Sequence, residues 1–205
     1  MARPRDFQEE EVLDRAMDVF WRHGYDGASM AELTKAMGLN SPSIYVAFGN
    51  KRGLFDAVLA RYRERRSAHR EYVSAAPTAR EVAERMLFGA IEWLVDPKEP
   101  RGCLLFQAGL STGVGNEDVP RALGDQRRKT REFLTRRLTR AKAEHDLPES
   151  ADPAALARYL IVVFSGLALQ AADGMSKAEL RRAAERALIG WPAGGRATTA
   201  STTRA

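Results

Sequence analysis

The sequence predicts an all-α protein of about nine helices, and two kinds of observation support this fold class. Apolar residues recur at helical spacing: Leu13, Ala16, Met17 and Phe20 stand at positions i, i+3, i+4 and i+7, on one face of a helix. In contrast, no segment of useful length alternates apolar and polar residues as a half-buried strand does. The spacing is helical in nearly every segment, which favours an all-helical fold.

Helix start signals divide the chain into segments. Capping boxes of the form Ser/Thr-x-x-Glu begin at Ser29, Thr78 and Ser176. Ser41 and Asp152 each place a capping oxygen before a proline, a residue favoured at the first helical position. Together with the apolar spacing, these signals predict helices at residues 8–23, 30–37, 41–48, 51–73, 79–95, 102–113, 117–145, 153–173 and 177–190.

The composition is typical of a soluble globular protein. The 205 residues are 44% hydrophobic and 29% charged. The net charge of +5 permits nucleic-acid binding, but basic residues are spread along the whole chain, so bulk charge does not establish it. The single cysteine, Cys103, excludes an intramolecular disulfide framework and fits a reducing cytoplasm. We find no signal peptide, and the longest apolar stretch, at residues 159–172, is too short to span a bilayer, so we expect a cytoplasmic protein with no membrane partner.

Residues 29–48 contain the sharpest local pattern. A short capped segment ends at Gly38, and a second short helix begins at Ser41 after a turn. A short helix with small polar residues at its start suits the major groove, where its N-terminal residues reach base edges. The pattern therefore predicts a DNA-binding helix-turn-helix. The residues predicted to face inward are Met30, Leu33, Met37, Leu39, Ile44 and Phe48, and those predicted to face outward are Asn40, Ser41, Ser43, Tyr45, Val46 and Ala47.

Phosphate contacts are expected at the flanks of this motif. Ser29 and Lys51 stand at helix N-termini, where free N–H groups and the helix dipole favour an anion. Tyr45 offers a hydroxyl beside the groove. Arg3 and Arg5 precede the first helix, on an arm expected to be flexible and to enter an adjacent minor groove. The alternatives remain open that Ser29 is only a helix cap and that Arg3 and Arg5 belong to a plain disordered tail.

Residues 38–55, which read GLNSPSIYVAFGNKRGLF, resemble the recognition segment of the TetR/AcrR family of bacterial repressors. Residues 16–25 also resemble the first helix and turn of that family, and the resemblance is strong over about residues 8–60. The resemblance implies phosphate contacts from Ser29, Tyr45 and Lys51, and an approach to the bases by Ser41, Ser43 and Val46.

The resemblance also implies a domain organisation. We expect a three-helix helix-turn-helix DNA-binding domain at residues 1–50, joined to a larger helical ligand-binding and dimerisation domain at residues 51–191. A disordered tail rich in Gly, Ala and Thr is expected at residues 192–205. The chain departs from the family pattern at Ala47 and Gly49, where we expect fewer DNA contacts.

In that family the last two helices pair with their counterparts in a dimer, and the sequence carries an apolar stripe on each of them. The second stripe includes small residues, which allow close helix approach. A twofold dimer reads a twofold operator, so palindromic double-stranded DNA is the expected partner. The alternative that both stripes are buried within the monomer stays open. The residues predicted to form the dimer interface are Leu156, Leu160, Val163, Leu167, Leu180, Ala184 and Leu188.

The larger domain is expected to hold a small-molecule effector of largely apolar character. Pockets of this kind combine apolar walls with a few orienting polar groups. Core packing is the alternative interpretation for each candidate, and the arginine-rich segment at residues 127–140 is interpreted as a solvated face. The candidate pocket residues are Met86, Phe88, Trp93, Phe106, Gln107, Leu110, Phe133 and Phe164.

The sequence holds no catalytic motif that we recognise, and Cys103 has two interpretations. No phosphate-binding loop, nucleophile elbow or dinucleotide fingerprint is present, so we expect neither an enzyme nor a metal or other cofactor. Cys103 near a helix N-terminus beside Arg101 suggests a reactive thiol, whereas its apolar neighbours suggest a buried hydrophobe. We therefore predict a ligand-responsive repressor released from a palindromic operator by a small molecule. The alternative is a helical ligand-binding or redox-sensing protein, acting through Cys103, with weak or vestigial DNA binding.

Overall fold

Ten helices make up the part of the chain that the computed structural model describes, which is residues 3–109, 113 and 115–192, with side chains from Glu9 onward. No strand occurs within these ranges, and the predicted all-α class is confirmed. Apart from Pro192, the predicted tail lies outside the described residues. The helices are α1 (Arg3–Gly27), α2 (Met30–Met37), α3 (Ser41–Phe48), α4 (Lys51–Arg65), α5 (Ser67–Ser74), α6 (Ala79–Leu94), α7 (Leu104–Gln107), α8 (Asp118–Ala143), α9 (Pro153–Ala172) and α10 (Lys177–Ala187).

The helix start signals act much as the sequence predicts. Ser29 and Ser176 form complete capping boxes at α2 and α10, and Asp152 caps α9. The start of α3 differs by one residue. Asn40, not Ser41, is the N-cap, and its Oδ1 accepts the backbone N–H three positions on at 2.9 Å. Ser41 is the first helical residue, which leaves its hydroxyl outside the capping interaction.

The predicted helix at residues 51–73 is two helices, α4 and α5, which meet at Arg66. The backbone there has φ −95° and ψ 5°, outside the helical range, and no glycine or proline causes the break. Instead, the Arg66 guanidinium lies 4.2 Å from the centre of the Trp93 ring on α6 and pairs with Glu99. These contacts from outside the helix hold the side chain at the break, and the apolar spacing of the segment gives no sign of them.

Glycines set two other boundaries. α1 runs to Gly27, but Gly24 inside it has φ 71° and ψ 176°, so the helical path breaks where the sequence predicts the end of the first helix. Within the described part of the predicted helix at residues 102–113, which excludes residues 110–112, the helical segment is the single turn of α7. Gly102 precedes α7 with φ 92°, a left-handed conformation that keeps this residue out of the helix.

The N-terminal unit, α1 to α3, packs on α4. α1 contacts α2 and α4, and α3 rests on α4. Phe20 of α1 meets Phe55 of α4 edge to face, with 5.0 Å between ring centroids. Leu33 and Ile44 are fully buried, so they anchor α2 and α3 by the side chains predicted to face inward. The opposite side of α3 therefore faces solvent.

The larger part of the molecule is built around α9, which packs against α6, α8 and α10. This helix is longer than the apolar stretch noted in the sequence. By length and composition alone it could cross a membrane, which corrects the expectation that the stretch is too short. Its buried side chains, such as Leu160 and Phe164, face the neighbouring helices, as in the core helix of a globular protein.

The junction between α3 and α4 requires a glycine at position 53. A Cβ atom there would lie 2.0 Å from the carbonyl oxygen of Phe48, a distance that backbone atoms cannot accommodate without moving. The Gly53 N–H also donates to the side chain of Asn50, the N-cap of α4, at 2.8 Å. The end of α3 and the start of α4 are thus in direct backbone contact.

We expect Gly53→Ala to lower the free energy of unfolding by about 1–3 kcal/mol, because the new methyl group must displace the end of α3. Urea unfolding followed by circular dichroism measures this change. Gly124→Ala in α8 is the matched control, since a Cβ there meets only the flexible end of Arg127 at 3.8 Å. The control gains helix propensity and should be neutral or stabilised by up to about 1 kcal/mol. Equal stability of the two variants would contradict the close approach at Gly53.

Candidate nucleic-acid interface and ligand cavity

The solvent-facing side of α3 presents small and polar groups. Val46 is 89% exposed and Tyr45 47% exposed, and Ser43 is also exposed, whereas Ser41 is half-buried. Ile44 between them is fully buried and fixes the rotation of the helix. α3 therefore offers a short, uncharged surface whose dimensions suit a major groove.

The side chain of Asn40 already makes one hydrogen bond within the protein. Its Oδ1 caps α3 by accepting the Ser43 N–H, so only its Nδ2 remains to donate to another molecule. The Ser43 hydroxyl has no hydrogen-bond partner among the described residues. Of these two candidates, Ser43 therefore has the greater freedom to contact a base.

Ser29 already uses its hydroxyl. The Oγ accepts the Glu32 N–H at 3.1 Å and donates to Glu32 Oε2 at 2.8 Å. The hydrogen bonds from Ser29 lower the pKa of Glu32, so that side chain stays negatively charged. A phosphate at this helix N-terminus would compete with the Glu32 carboxylate for the same donors.

Lys51 begins α4 and reaches back towards the end of α1. Its Nζ lies 3.5 Å from the carbonyl oxygen of Asp26 and 4.7 Å from the centre of the Tyr25 ring. Partial burial lowers the pKa of Lys51. The prediction that Arg3 and Arg5 lie on a flexible arm before the first helix is wrong for the backbone, which is part of α1 at both residues. Their side chains lie outside the described residues.

A cavity of about 400 Å³, which we call the central cavity, lies between the end of α4, α5, α6, α8 and α9. Four of the predicted pocket residues line it: Met86, Trp93, Phe133 and Phe164. The remaining lining residues are Tyr62, Arg63, Arg66, His69, Arg70, Val73, Cys103, Leu105, Gln126, Lys129, Thr130, Glu132 and Arg136.

The other predicted pocket residues do not join this set. Phe106 packs behind Phe164, with 5.7 Å between ring centroids. Gln107 accepts a hydrogen bond from Trp21 Nε1 at 2.6 Å and so connects α7 to α1. Phe88 lines a separate shallow groove on the outer side of α6. Leu110 lies outside the described residues.

The polar residues of the cavity wall are not among the pocket residues predicted from the sequence. Tyr62, Arg66, His69 and Val73 follow each other at helical spacing, which was the available signal for one shared face. Residues 129 and 136, interpreted as part of a solvated surface, lie at the rim of the cavity. The wall is therefore mixed, with cationic and apolar side chains in one enclosure.

Cys103 lies in this wall and is buried. Its Sγ is 3.2 Å from the Tyr62 hydroxyl, and burial raises the pKa of the thiol by disfavouring the thiolate. Arg101 does not counteract this effect, because its guanidinium donates to the carbonyl oxygens of Ala171 and Met175. The proposed reason for a reactive thiol, activation by Arg101, is therefore wrong.

Several contacts join α1 and α4 to the chain between α7 and the start of α8. The Tyr25 N–H donates to the Ala108 carbonyl at 3.1 Å, and the Asp26 carboxylate accepts from Asn116 Nδ2 at 2.6 Å. Arg52 of α4 forms an ion pair with Asp118 at the start of α8. Together with the Trp21–Gln107 bond, these contacts couple α1 and α4 to α7 and α8.

The predicted dimer stripes face the wrong way. The four positions 160, 167, 180 and 188 are at most 4% exposed, because they pack inside the monomer between α9, α10 and α6. Exposed apolar side chains lie on the adjacent face of α9, where Val162 is 68% exposed. Ile189, just after α10, is also 68% exposed. This correction applies to Leu160, Leu167, Leu180, Ala184 and Leu188. Leu156 and Val163 are partly buried against the core, and their place in a dimer interface stays a prediction.

His69 predicts a specific pH dependence of stability. Burial and the nearby Arg66 lower its pKa from 6.5 to about 4, so the folded protein keeps the ring neutral while the unfolded chain protonates it below pH 6.5. The free energy of unfolding should therefore fall by about 2–3 kcal/mol as the pH drops from about 6.5 to about 4. Urea unfolding across this range measures the slope. His69→Gln should remove that component of it, and an unchanged slope in this variant would exclude His69 as the cause.

The chain matches two known protein families. Residues 12–58 match the family described as bacterial regulatory proteins, tetR family, and residues 84–188 match the tetracyclin repressor-like C-terminal domain. The HTH-type transcriptional repressor ComR of Escherichia coli (strain K12) is 32% identical over 192 residues, which cover 93% of this chain and 91% of ComR. The HTH-type transcriptional repressor BdcR of the same organism is 47% identical over 60 residues, or 29% of this chain and 30% of BdcR.

A solved structure gives the same answer over the whole fold. A cysteine mutant of the TetR family transcriptional regulator CifR, complexed with a 26-bp double-strand operator DNA, is 39% identical. It superposes with a TM-score of 0.87, covering 93% of this chain and 100% of that one. Matches to both domain families and to full-length relatives show that the chain belongs to the TetR family of bacterial DNA-binding transcriptional regulators.

Proposed function

We propose that the protein is a dimeric repressor that binds a palindromic operator through two copies of α3 and is released when a small molecule fills the central cavity. The observation that carries this proposal is the placement of α4. Its first residue, Lys51, lies beside the DNA-facing unit, and its last turn reaches the cavity at Tyr62 and Arg63. The 15 residues of α4 span about 22 Å, so one rigid element connects the two sites.

The proposed division of the chain is a DNA-binding domain at residues 1–50 and a ligand-binding and dimerisation domain at residues 51–191, acting in the cytoplasm where the operator DNA is. Ser41, Ser43 and Val46 read bases, with Asn40 donating from Nδ2. Tyr45 and Lys51 bind phosphates, as does Ser29 once its hydroxyl turns away from Glu32. Arg3 and Arg5 remain candidates for further backbone contacts. The exposure of α3 and the solved operator complex of CifR support this assignment.

The proposed dimer interface is the exposed face of α9 together with the end of α10. Tyr159, Val162, Gly166 and Leu169 recur at intervals of three and four residues along α9, so they form one continuous stripe. Gly166 has open space where a side chain would stand, which permits close helix approach. Ile189 extends this apolar surface onto the end of α10.

Release follows from a shift between two dimer geometries. A ligand that binds Arg66 or His69 moves the end of α4 relative to α6. Because α3 and α4 are in direct backbone contact at Gly53, α3 moves as well. To change operator occupancy from nearly full to nearly empty, the ligand must favour the released geometry by about 5 kcal/mol. Retardation of DNA from the region flanking the protein's own gene, competed by a specific palindrome, tests the regulator. Binding that is sequence-blind and lost in moderate salt would contradict it.

Lys51→Ala should weaken binding to all DNA sequences and lower the slope of log K against log salt by about 1, because one phosphate contact is lost. Ser43→Ala should instead change preference at particular base pairs, by about 1–3 kcal/mol. Fluorescence anisotropy with a set of operator variants separates these effects. Lys98→Ala, which removes the same charge from an exposed loop, is the control and should leave both quantities unchanged. A uniform loss in both test variants would show that Ser43 does not read a base.

Val162→Asp should convert the dimer into monomers and abolish operator retardation, because it places an unpaired carboxylate in an apolar interface. Sedimentation velocity measures the oligomeric state, and thermal melting checks that the monomer still folds. Thr139→Asp, at an exposed position on α8, is the matched control and should remain dimeric. If the Val162→Asp protein remains dimeric, the interface does not include this face of α9.

A further inference from the structure

We propose that the effector is a monocarboxylate: a compact, largely apolar acid whose carboxylate is held by Arg66 Nε and Trp93 Nε1 in the central cavity. This inference rests on the proposed function, since it names the chemistry of the molecule that fills the cavity. Three observations lead to it: buried donors without partners, an excess of positive charge in the lining, and an apolar remainder of suitable size.

Two of the buried hydrogen-bond donors without a partner belong to residues that line the cavity. Arg66 Nε and Trp93 Nε1 are shielded from solvent, and neither has a hydrogen-bond partner among the described residues. Folded proteins pair nearly all such groups, because an unpaired buried donor costs free energy. The Arg66 guanidinium lies 4.2 Å from the centre of the Trp93 ring, so the two donors are at the same end of the cavity. The two oxygens of one carboxylate match two neighbouring donors.

The charge of the lining favours an anion. Arg63, Arg70, Lys129 and Arg136 line the cavity, and none of them forms a salt bridge with a described residue. Glu132 is the single acidic side chain of the lining within the described ranges. Arg66 has Glu99, which lies outside the lining, as its carboxylate partner and shares it with Arg65, which also pairs with Asp14. The field at the cavity therefore attracts one negative charge and repels an amine.

Two further groups limit the ligand to a single negative charge. His69 Nε2 and Gln126 Oε1 are also buried without a partner among the described residues. Burial and Arg66 lower the pKa of His69 to about 4, so the ring is neutral at pH 7. A neutral imidazole carries one ring nitrogen without a proton, which can only accept a hydrogen bond. These acceptors, like Glu132, oppose a second carboxylate.

The remainder of the wall suits an apolar body. Val73, Met86, Leu105, Phe133 and Phe164 supply its apolar surface. The volume of about 400 Å³ falls at the small end of the range for ligand pockets, about 300–1,000 Å³, and fits a molecule with one ring or a short alkyl chain.

The test compares probes of one shape and different charge on the purified full-length protein. The probes are 3-phenylpropionate, 3-phenylpropionamide, 3-phenylpropylamine and benzylmalonate, which adds a second carboxylate to the first compound. Octanoate and octanamide repeat the comparison with an alkyl body. Calorimetry and thermal shift at pH 7.5 should show each acid binding at least about 10-fold more tightly than its amide, with the amine and the dicarboxylate weakest. An amide or amine that binds as well as the acid, or failure of both acids at millimolar concentration, would overturn the inference.

Trp93→Phe keeps an aromatic ring and removes only the proposed donor. It should weaken binding of 3-phenylpropionate by about 10- to 100-fold, the usual cost of a hydrogen bond to a charged group. Trp191→Phe is the matched control, because Trp191 is another buried tryptophan that does not line the cavity, and its affinity should equal that of the unaltered protein. Equal affinities for Trp93→Phe and Trp191→Phe would show that Trp93 does not hold the acid.

A second variant removes charge where folding is not at risk. Lys129→Ala combined with Arg136→Ala changes two exposed residues at the rim and should lower both the affinity for 3-phenylpropionate and its sensitivity to sodium chloride. Unchanged affinity and salt dependence would exclude the cationic rim as an attractor.

Operator release, followed by anisotropy with the same probes, separates this inference from the function on which it rests. An acid that binds in the cavity without releasing DNA would support the monocarboxylate site and contradict the release mechanism. Release by the amide or amine, with weaker effect of the acid, would support the mechanism and contradict the monocarboxylate.

Discussion

The packing at the centre of the molecule depends on one cation, Arg66, whose side chain is 15% exposed. Its guanidinium lies against Trp93 of α6, and within 5.8 Å of the centre of the Trp21 ring of α1, while Glu99 supplies its carboxylate partner. A charge removed from water must be paired or stacked to be tolerated, so these partners cannot drift apart independently. The break between α4 and α5 occurs at this residue for the same reason. Arg66 thus places the junction of α4 and α5 in contact with both the N-terminal unit and α6.

The same constraint explains how a change at the cavity can reach α3. α4 is continuous from its Asn50 cap to the break at Arg66, and near its start Gly53 packs so closely on α3 that a Cβ there would lie 2.0 Å from the Phe48 carbonyl oxygen. The ion pair between Arg52 of α4 and Asp118 at the start of α8 ties this helix to α8. A ligand that takes over the free Nε of Arg66 therefore acts on a side chain whose position already determines where α4 ends. In the proposed mechanism, α1 to α3 rotate with α4 as one unit.

The sequence predicts features decided by neighbouring residues, such as helix caps, but not features decided by contacts between distant parts of the chain. Ser29, Asp152 and Ser176 act as caps because a cap is decided within four residues. The rotation of α3 followed from Ile44 and its apolar neighbours for the same reason. In contrast, the helix break at Arg66 is caused by residues far along the chain, and the dimer stripes were misassigned because α9 is apolar on nearly all sides. Apolar spacing identified which residues are buried there, but not whether they are buried by the same chain or by a partner. The polar cavity wall was missed because arginines on a helix ordinarily face solvent.

The exposed side of α3 carries no charged side chain, and on the proposed assignment this makes dimer geometry decisive. On the proposed assignment, Ser29 must first give up Glu32, and Lys51 is held against Tyr25 and Asp26, so each unit brings few strong phosphate contacts. Two weakly binding units achieve tight binding only when both engage at once, which requires that their separation match successive major grooves. A small rotation of α4 changes that separation in both subunits together. In the proposed mechanism a ligand releases the whole dimer by changing this spacing and not the contacts themselves, provided that it favours the released geometry by about 5 kcal/mol.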